Sequence, residues 1–226
     1  MGQKPFETDT IQTSSGTLNM TFIGHGTLMF SWDNKVIHID PVDQYADYGS
    51  LPDADMILVT HHHGDHLDPS SIDKITKTGT DIICSESCLD KLPDGIAMKN
   101  GETRTVQGIT IQAVPAYNVV NKRSNGEPFH PKGIGNGYVI SIGDKKIYIA
   151  GDTENIPEMA DLRNIYCAFL PMNLPYTMTP EMVSQAVRMF RPTVLYPYHY
   201  GETDVTRLES LLKDFPSCEV RIRNLK

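Results

Sequence analysis

Residues 60–66, THHHGDH, constrain this chain more than any other part of its sequence. They follow residues 54–59, an apolar run typical of a strand that is covered on both faces. The first and third histidines are two residues apart, so both can point the same way and bind one ion. The glycine lets the chain turn sharply before the aspartate and the last histidine. Imidazole and carboxylate ligands together favour zinc, iron or manganese over calcium. The spacing therefore predicts a metal site, and not merely a polar turn, where open α/β sheets carry their chemistry.

The remaining pattern predicts short strands first and strand–helix units later. Alternating or continuous apolar residues indicate strands or apolar segments at 17–24, 27–32, 35–40, 54–60, 81–84, 103–107, 109–115, 137–143, 145–152, 165–172 and 193–200. Helices are expected from Pro69 to just before Gly79, over 85–92, over 179–190 and over 204–215. Residues 118–137 are polar and rich in glycine. A connection of this length predicts either a functional or a disordered loop.

This order favours two sheets packed between helices. No segment has the composition of a linker, so we expect a single domain over residues 1–226.

Composition limits the classes of partner that we expect this protein to bind. The net charge of −8 argues against a nucleic-acid backbone, which requires a basic surface. No apolar run is long enough to span a bilayer, and the first residues lack the pattern of an export signal. The four cysteines form no C-x-x-C pair and are expected to be buried thiols: Cys84, Cys88, Cys167 and Cys218. We therefore expect a cytoplasmic protein with a small-molecule substrate and no stable membrane anchor.

The chain resembles the metallo-β-lactamase superfamily. The resemblance rests on the H-x-H-x-D-H pattern at 61–66, on FIGHGTLMFSWDNKVIHIDP at 22–41, on IYIAGDT at 147–153 and on YPYHYG at 196–201. Within the superfamily the chain is most similar to metal-dependent hydrolases related to the ascorbate-6-phosphate lactonases and to N-acyl-phosphatidylethanolamine phospholipase D. The resemblance implies an α/β fold, a four-layer αββα sandwich, with two metal ions at one edge between the sheets.

The resemblance also implies a role for each motif residue. His61 and His63 would bind the first metal, and Asp65 and His66 the second. Asp152 would bridge both ions, and the second site would be completed by His199. Two divalent cations, zinc before manganese or iron, would lower the pKa of a bridging water to near neutrality. Asp65 would also be the catalytic residue that orients this water and shuttles its proton.

One ligand of the family pattern is missing. Relatives place a third histidine for the first metal at the end of the strand before the long loop, where this chain has Asn118. Asn118 would bind weakly through its amide oxygen, His130 would fold back from the loop as a substitute, or the site would be emptier than usual. We favour His130, because HPKG at 130–133 combines an imidazole with a rigid proline and a glycine hinge.

Other residues carry weaker signals. His25 between two glycines could border the pocket, and Asp40 could orient a ligand imidazole. His62 and His38 are expected not to be ligands. Positive charge in the long loop would suit a phosphate or carboxylate, and a tyrosine hydroxyl would suit an oxyanion. The candidates for these two roles are Lys122, Arg123, Lys132, Tyr117, Tyr176 and Tyr198.

The pattern predicts a metal-dependent hydrolase that cleaves an ester, lactone or phosphodiester of a small, anionic substrate. One alternative is an iron-dependent redox enzyme of the same fold, although a diiron oxygen reductase would carry glutamate in place of His63. Another is a non-catalytic sensor of a metal or ligand, which the altered third ligand allows. The presence of both Asp65 and Asp152 favours hydrolysis.

Overall fold

Two seven-stranded sheets form the centre of the molecule. The computed structural model describes residues 5–226, so residues 1–4 of the predicted domain lie outside the described residues. The first sheet contains, in spatial and chain order, β1 Glu7–Thr13, β2 Gly16–Gly24, β3 Thr27–Trp32, β4 Lys35–Ile39, β5 Ala54–Val59, β6 Thr76–Ser85 and β7 Ile96–Met98. The second contains β8 Thr103–Val106, β9 Ile109–Ala116, β10 Gly135–Ile142, β11 Lys145–Ile149, β12 Ile165–Pro171, β13 Val194–Tyr198 and β14 Glu219–Val220.

Each sheet is half antiparallel and half parallel. Strands β1 to β4 form the predicted meander, and β4 to β7 run parallel. In the second sheet β8 to β11 are antiparallel, and β11 to β14 are parallel. Because strands of the parallel halves all end at one edge of their sheet, the residues that follow them are brought together there.

The helices cover the outer faces of the sheets. These are α1 Pro69–Ile75, α2 Pro180–Phe190 and α3 Arg207–Leu211. Successive residues of β5 show the layering, since Met56 and Leu58 join the core between the sheets whereas Ile57 and Val59 pack with α1. This strand is covered on both faces, as its apolar sequence predicts. Among residues 5–226, no helix has both the length and the apolar character needed to cross a membrane.

Helix α2 matches its prediction because its ends are capped. Thr179 accepts a hydrogen bond from the Met182 amide at 3.2 Å, and Pro180 occupies the first turn. The helix ends at Arg191, whose φ of 53° is left-handed.

Three helix predictions were wrong in extent. Helix α1 ends at Ile75, and Gly79 lies inside β6, because the chain from Thr76 pairs with β5. Of residues 85–92, Ser85 ends β6 and only Glu86–Cys88 form a 3-10 turn, where the Ser85 hydroxyl bonds to the Ser87 and Cys88 side chains. Helix α3 begins only at Arg207 because the Asp204 carboxylate holds Thr206 in a turn, and it ends at Leu211. The sequence reasoning also missed β1, β7 and β14.

Substituting His38 with glutamine is expected to flatten the pH dependence of the free energy of unfolding. His38 is fully buried, and its Nε2 donates to the carbonyl oxygen of Pro52 at 3.0 Å. Burial lowers the pKa of His38 from 6.5 to about 4. Below pH 6.5 the unfolded chain therefore takes up a proton that the folded chain does not, and stability falls with the pH.

Between pH 6.5 and about 5 this side chain should cost about 2 kcal/mol of stability. Chemical unfolding of the metal-free wild type and variant across this range measures the difference. Equal slopes for the two proteins would contradict the expectation.

Candidate metal centre

Residues from both sheets meet at the edge where the parallel strands end. Residues 61–66, which include four histidines, follow β5, and Asp40 follows β4 in the same sheet. Asp152 comes three residues after β11, and His199 directly follows β13 in the other sheet. The four segments therefore approach one another across the gap between the sheets.

Asp152 lies at the centre of this group. Its carboxylate oxygens are 3.4 Å from His66 Nε2, 3.2 Å from His130 Nε2, 3.4 Å from His199 Nε2 and 4.0 Å from His61 Nε2. The side chain is almost completely buried. No other carboxylate among residues 5–226 has four histidine nitrogens within 4.0 Å.

The donor atoms divide into two groups on either side of Asp152. In one, His63 Nδ1 lies 3.1 Å from His61 Nε2 and 3.2 Å from His130 Nε2. In the other, Asp65 Oδ2 lies 3.5 Å from His199 Nε2 and 3.8 Å from His66 Nε2. Each group has the atoms and the spacing to hold one metal ion. The seven predicted metal residues are thus all brought together.

Buried atoms without partners show that the cluster suits a cation. His66 Nε2, His199 Nε2 and Asp152 Oδ1 are buried and form no hydrogen bond. Leaving such atoms unsatisfied costs about 1–3 kcal/mol each, so native structures rarely retain them without a partner. Nitrogen lone pairs and a carboxylate oxygen are the atoms that zinc, manganese and iron bind.

Asp40 orients two of the histidines. Its Oδ2 accepts a hydrogen bond from His66 Nδ1 at 2.7 Å and another from the Thr60 hydroxyl at 2.7 Å. Because that hydroxyl donates to Asp40, it accepts from His61 Nδ1, 3.0 Å away. In its neutral form each of these imidazoles is therefore held with the proton on Nδ1 and the Nε2 lone pair toward the cluster, which is the tautomer that binds a metal. The predicted positioning role of Asp40 agrees with this geometry.

Asn118 and His130 occupy different positions. The Asn118 amide oxygen accepts hydrogen bonds from the His130 backbone N–H at 2.7 Å and from His130 Nδ1 at 2.8 Å. Asn118 therefore points at His130, and His130 Nε2 points at Asp152 and His63. Of the alternatives for the missing histidine, the geometry favours His130, with Asn118 as the residue that positions it.

Replacing Asn118 with alanine is expected to weaken binding of one metal ion by roughly 10–100-fold, because His130 loses the acceptor that fixes its tautomer. The second ion should bind as in the wild type. Titration with a metal-chelating indicator measures both affinities. An unchanged affinity would contradict this role, whereas loss of one ion altogether would indicate that Asn118 is itself a ligand.

Burial and neighbouring charge lower the pKa of two histidines of the centre and raise the pKa of two others. Burial, reinforced by His66, holds the pKa of His61 well below 6.5, and burial beside His130 lowers the pKa of His63 to about 4. Burial would likewise lower the pKa of His66 and His199, but the Asp152 carboxylate outweighs it. The pKa of His66 is raised well above 6.5 and that of His199 to about 9. The carboxylates thus draw positive charge into a buried site, as a cation site requires.

His25 belongs to the site more closely than the sequence indicated. Its Nε2 lies 3.3 Å from Asp65 Oδ2, and its ring centroid lies 3.7 Å from that of His199. The flanking glycines have a steric reason, since a Cβ at Gly26 would come within 2.7 Å of His66 Cε1. The backbone of His25 is left-handed, with a φ of 53°, and no pattern in the sequence indicates this conformation.

A cavity of about 280 Å³ opens onto the cluster. Among the weaker candidates, Arg123 and Tyr176 line it. The other candidates point elsewhere: Lys132 binds Glu158 at 2.6 Å, the Tyr117 hydroxyl donates to the same carboxylate, and Tyr198 is buried against Gly151. Lys122 does not line the cavity.

Two exclusions agree with the structure. His62 is exposed and belongs to none of the donor groups of the described chain, and His38 binds Pro52 inside the first sheet. All four cysteines are buried and free, as predicted.

Glu154 is the polar residue at the site that sequence reasoning missed. It is almost completely buried, and its carboxylate accepts backbone hydrogen bonds from Val119, Val120 and Asn121 at 2.6–2.7 Å. It therefore holds the start of the long loop beside the cluster. The sequence shows only a glutamate two residues after Asp152, which has no periodicity or spacing to mark it.

Comparison with known families identifies the superfamily of the chain. Residues 19–199 match the family described as the beta-lactamase superfamily domain, and the match ends at the last of the predicted metal residues. The chain belongs to the beta-lactamase superfamily. The predicted αββα sandwich is thereby confirmed, with thinner helical layers than the sequence suggested.

Similar proteins in the superfamily cover nearly the whole chain. A metal-dependent hydrolase of Methanopyrus kandleri is 31% identical over 81% of this chain and 84% of its own length. A solved protein of Parabacteroides distasonis, provisionally named a metal-dependent hydrolase, is 49% identical with a TM-score of 0.94, covering 98% of this chain and 100% of its own. The metallo hydrolase Igni18 of Ignicoccus hospitalis shares the fold, with 24% identity, a TM-score of 0.76 and 92% and 95% coverage.

Proposed function

We propose that this protein is a metal-dependent hydrolase that cleaves an ester, lactone or phosphodiester bond of a small anionic substrate. The observation that carries the proposal is the convergence of buried, unpartnered nitrogen and oxygen atoms beneath an open cavity. The names of the relatives from Methanopyrus and Parabacteroides support the reaction class. We further propose that the protein acts as a single domain in the cytoplasm.

Two groups of residues would hold two divalent ions, zinc before manganese or iron. His61, His63 and His130 would bind one ion and Asp65, His66 and His199 the other, with Asp152 between them. When bound, such ions convert water into a nucleophile near neutral pH and withdraw charge from the substrate oxygen.

Asp65 is suited to guide the proton of the attacking water. Its side chain is 42% exposed toward the cavity, whereas Asp152 is buried. His25 Nε2 and His199 Nε2 lie 3.3 and 3.5 Å from Asp65 Oδ2 and hold this oxygen in place. The carboxylate is therefore fixed in direction while remaining in contact with the space where a substrate would lie.

Arg123 is suited to bind the negative group of the substrate. It lines the cavity, and its guanidinium lies 5.0 Å from the centre of the Phe129 ring. Within residues 5–226 it has no carboxylate within 4.0 Å, although the chain as a whole is acidic. A guanidinium without an ionic partner on the wall of the cavity supports an anionic substrate.

Replacing Arg123 with glutamine is expected to raise KM for an anionic substrate roughly 10–100-fold with a small change in kcat, since a charged hydrogen bond contributes about 1.5–3 kcal/mol. A neutral ester should show no such loss. The matched control is Arg104→Gln on exposed β8. A fall in kcat alone would contradict binding as the role of Arg123.

The proposed function is tested by stripping the protein of metal and restoring zinc, manganese or iron separately. Initial rates are measured on bis(4-nitrophenyl) phosphate, phenyl acetate and a simple γ-lactone. Metal-dependent turnover of any one substrate supports the proposal. Iron content with a visible absorption band and no hydrolysis would favour the redox alternative. Tight metal binding without turnover of any substrate would favour a sensor.

A further inference from the structure

The two loops that contribute side chains to the cavity wall also carry exposed apolar side chains. Of the residues that the structure describes, the large hydrophobic side chains with high exposure lie in the loops 117–134 and 172–178. We call them the apolar rim: Val119, Val120, Ile134, Leu174 and Tyr176, with exposures of 51%, 71%, 41%, 50% and 44%. Single exposed hydrophobic residues need no explanation, but five of them on the two loops that line one cavity do.

Two residues of the rim, Ile134 and Tyr176, adjoin the metal centre. Tyr176 lines the 280 Å³ cavity together with Phe129 and His130. Ile134 lines an adjoining crevice that also contains Phe129 and His130. The rings of Phe129 and Tyr176 meet edge to face at 5.1 Å and join the two loops. An apolar surface therefore runs from the candidate metal ligands to the outside.

The rim is held in place by buried polar contacts. Glu154 binds the backbone N–H groups of Val119 and Val120 at 2.7 and 2.6 Å, which leaves their side chains in solvent. Asn118 Nδ2 donates to the carbonyl oxygen of Tyr176 at 2.8 Å, and Asn121 Nδ2 donates to that of Thr177 at 3.1 Å. The exposure of the valines thus follows from a fixed loop conformation.

We propose that the apolar rim binds an alkyl or aryl group of the substrate, so that the substrate is an amphiphile whose anionic group contacts Arg123. This inference rests on the proposed function, since it places the reacting bond at the metal centre. The Arg123 guanidinium lies over the Phe129 ring in the cavity wall, and Tyr176 lies at the edge of that ring, so an anionic group and an apolar group attached to it would meet adjacent matching surfaces. Removing the rim from water supplies the driving force for binding.

The experiment is calorimetric titration of the zinc-loaded protein with inorganic phosphate, methyl, butyl and octyl phosphate, all below their micelle concentrations. Affinity is expected to rise at least roughly tenfold from methyl to octyl phosphate, because several methylenes are buried. In Ile134→Ser and Leu174→Ser, one substitution in each loop, this gain should shrink several-fold while phosphate itself binds as before. In Arg123→Gln phosphate affinity should fall and the gain with chain length should remain.

Equal affinities across the series would overturn the inference and leave the proposed hydrolase intact. A gain that survives both serine substitutions would also overturn it, because the alkyl chain would then bind elsewhere. Sedimentation of the same samples supplies a third check: a wild-type dimer that both serine variants dissociate would show that a second copy covers the rim. If zinc binds but neither phosphate nor its esters do, the anion contact of the proposed function fails together with the inference.

Discussion

Replacing Asp152 with asparagine is expected to abolish hydrolysis and to remove most of the bound metal. Among the carboxylates of residues 5–226, that of Asp152 alone lies within 4.0 Å of nitrogen atoms from both donor groups, at His66, His130, His199 and His61. Asparagine keeps the volume but removes the charge that balances two cations. Since such ions contribute several kcal/mol to catalysis, activity should fall by roughly a thousandfold or more.

Elemental analysis of metal per chain and initial rates on the best substrate measure the two effects together. Asp73→Asn on the exposed face of α1 is the matched control, and it should retain both metal and activity. Full metal content in Asp152→Asn would show that this carboxylate is not shared between the ions. Retained activity would remove the two-ion proposal.

Replacing His130 with alanine is expected to lower the metal content from about two ions per chain to about one, because the first group would lose one of its three histidines and keep only His61 and His63 beside a carboxylate that it would share with the other ion. The ion held by Asp65, His66 and His199 should remain. Hydrolysis should fall by roughly a thousandfold, since the proposed mechanism depends on both ions.

His62→Ala is the matched control, because it removes a neighbouring imidazole that belongs to no donor group of the described residues. Comparison with Asn118→Ala then separates ligand from positioning residue. His130→Ala should eliminate one metal site, whereas Asn118→Ala should only weaken metal binding at that site. Two tightly bound ions in His130→Ala would mean that another residue completes the first group.

Much of the first sheet could be predicted from local pattern. The meander from β2 to β4 and the buried strand β5 follow from alternation and from apolar continuity, which depend on neighbouring residues alone. The helical predictions over 85–92 and 204–215 were wrong because side-chain hydrogen bonds from Ser85 and Asp204 compete with helix formation. Such competition depends on conformations that periodicity does not describe.

The sequence by itself determined the composition of the candidate centre. The spacing of His61, His63, Asp65 and His66 after a buried strand requires these side chains to lie at one end of that strand, whatever the rest of the chain does. Asp152 and His199 could be assigned by resemblance because each directly terminates an apolar segment.

Only the tertiary structure decided how His25, Asn118, His130 and Glu154 participate. His130 and Asn118 are twelve residues apart in a loop without periodicity, and their hydrogen bonds form only after the loop folds back on itself. His25 and Asp65 are forty residues apart in the chain, and a left-handed turn at His25 brings its imidazole to the Asp65 carboxylate. Contacts of this kind depend on loop closure and side-chain direction, which the identity of the residues does not specify. The strands therefore follow from local sequence, whereas the completed site follows from how the two sheets and their loops meet.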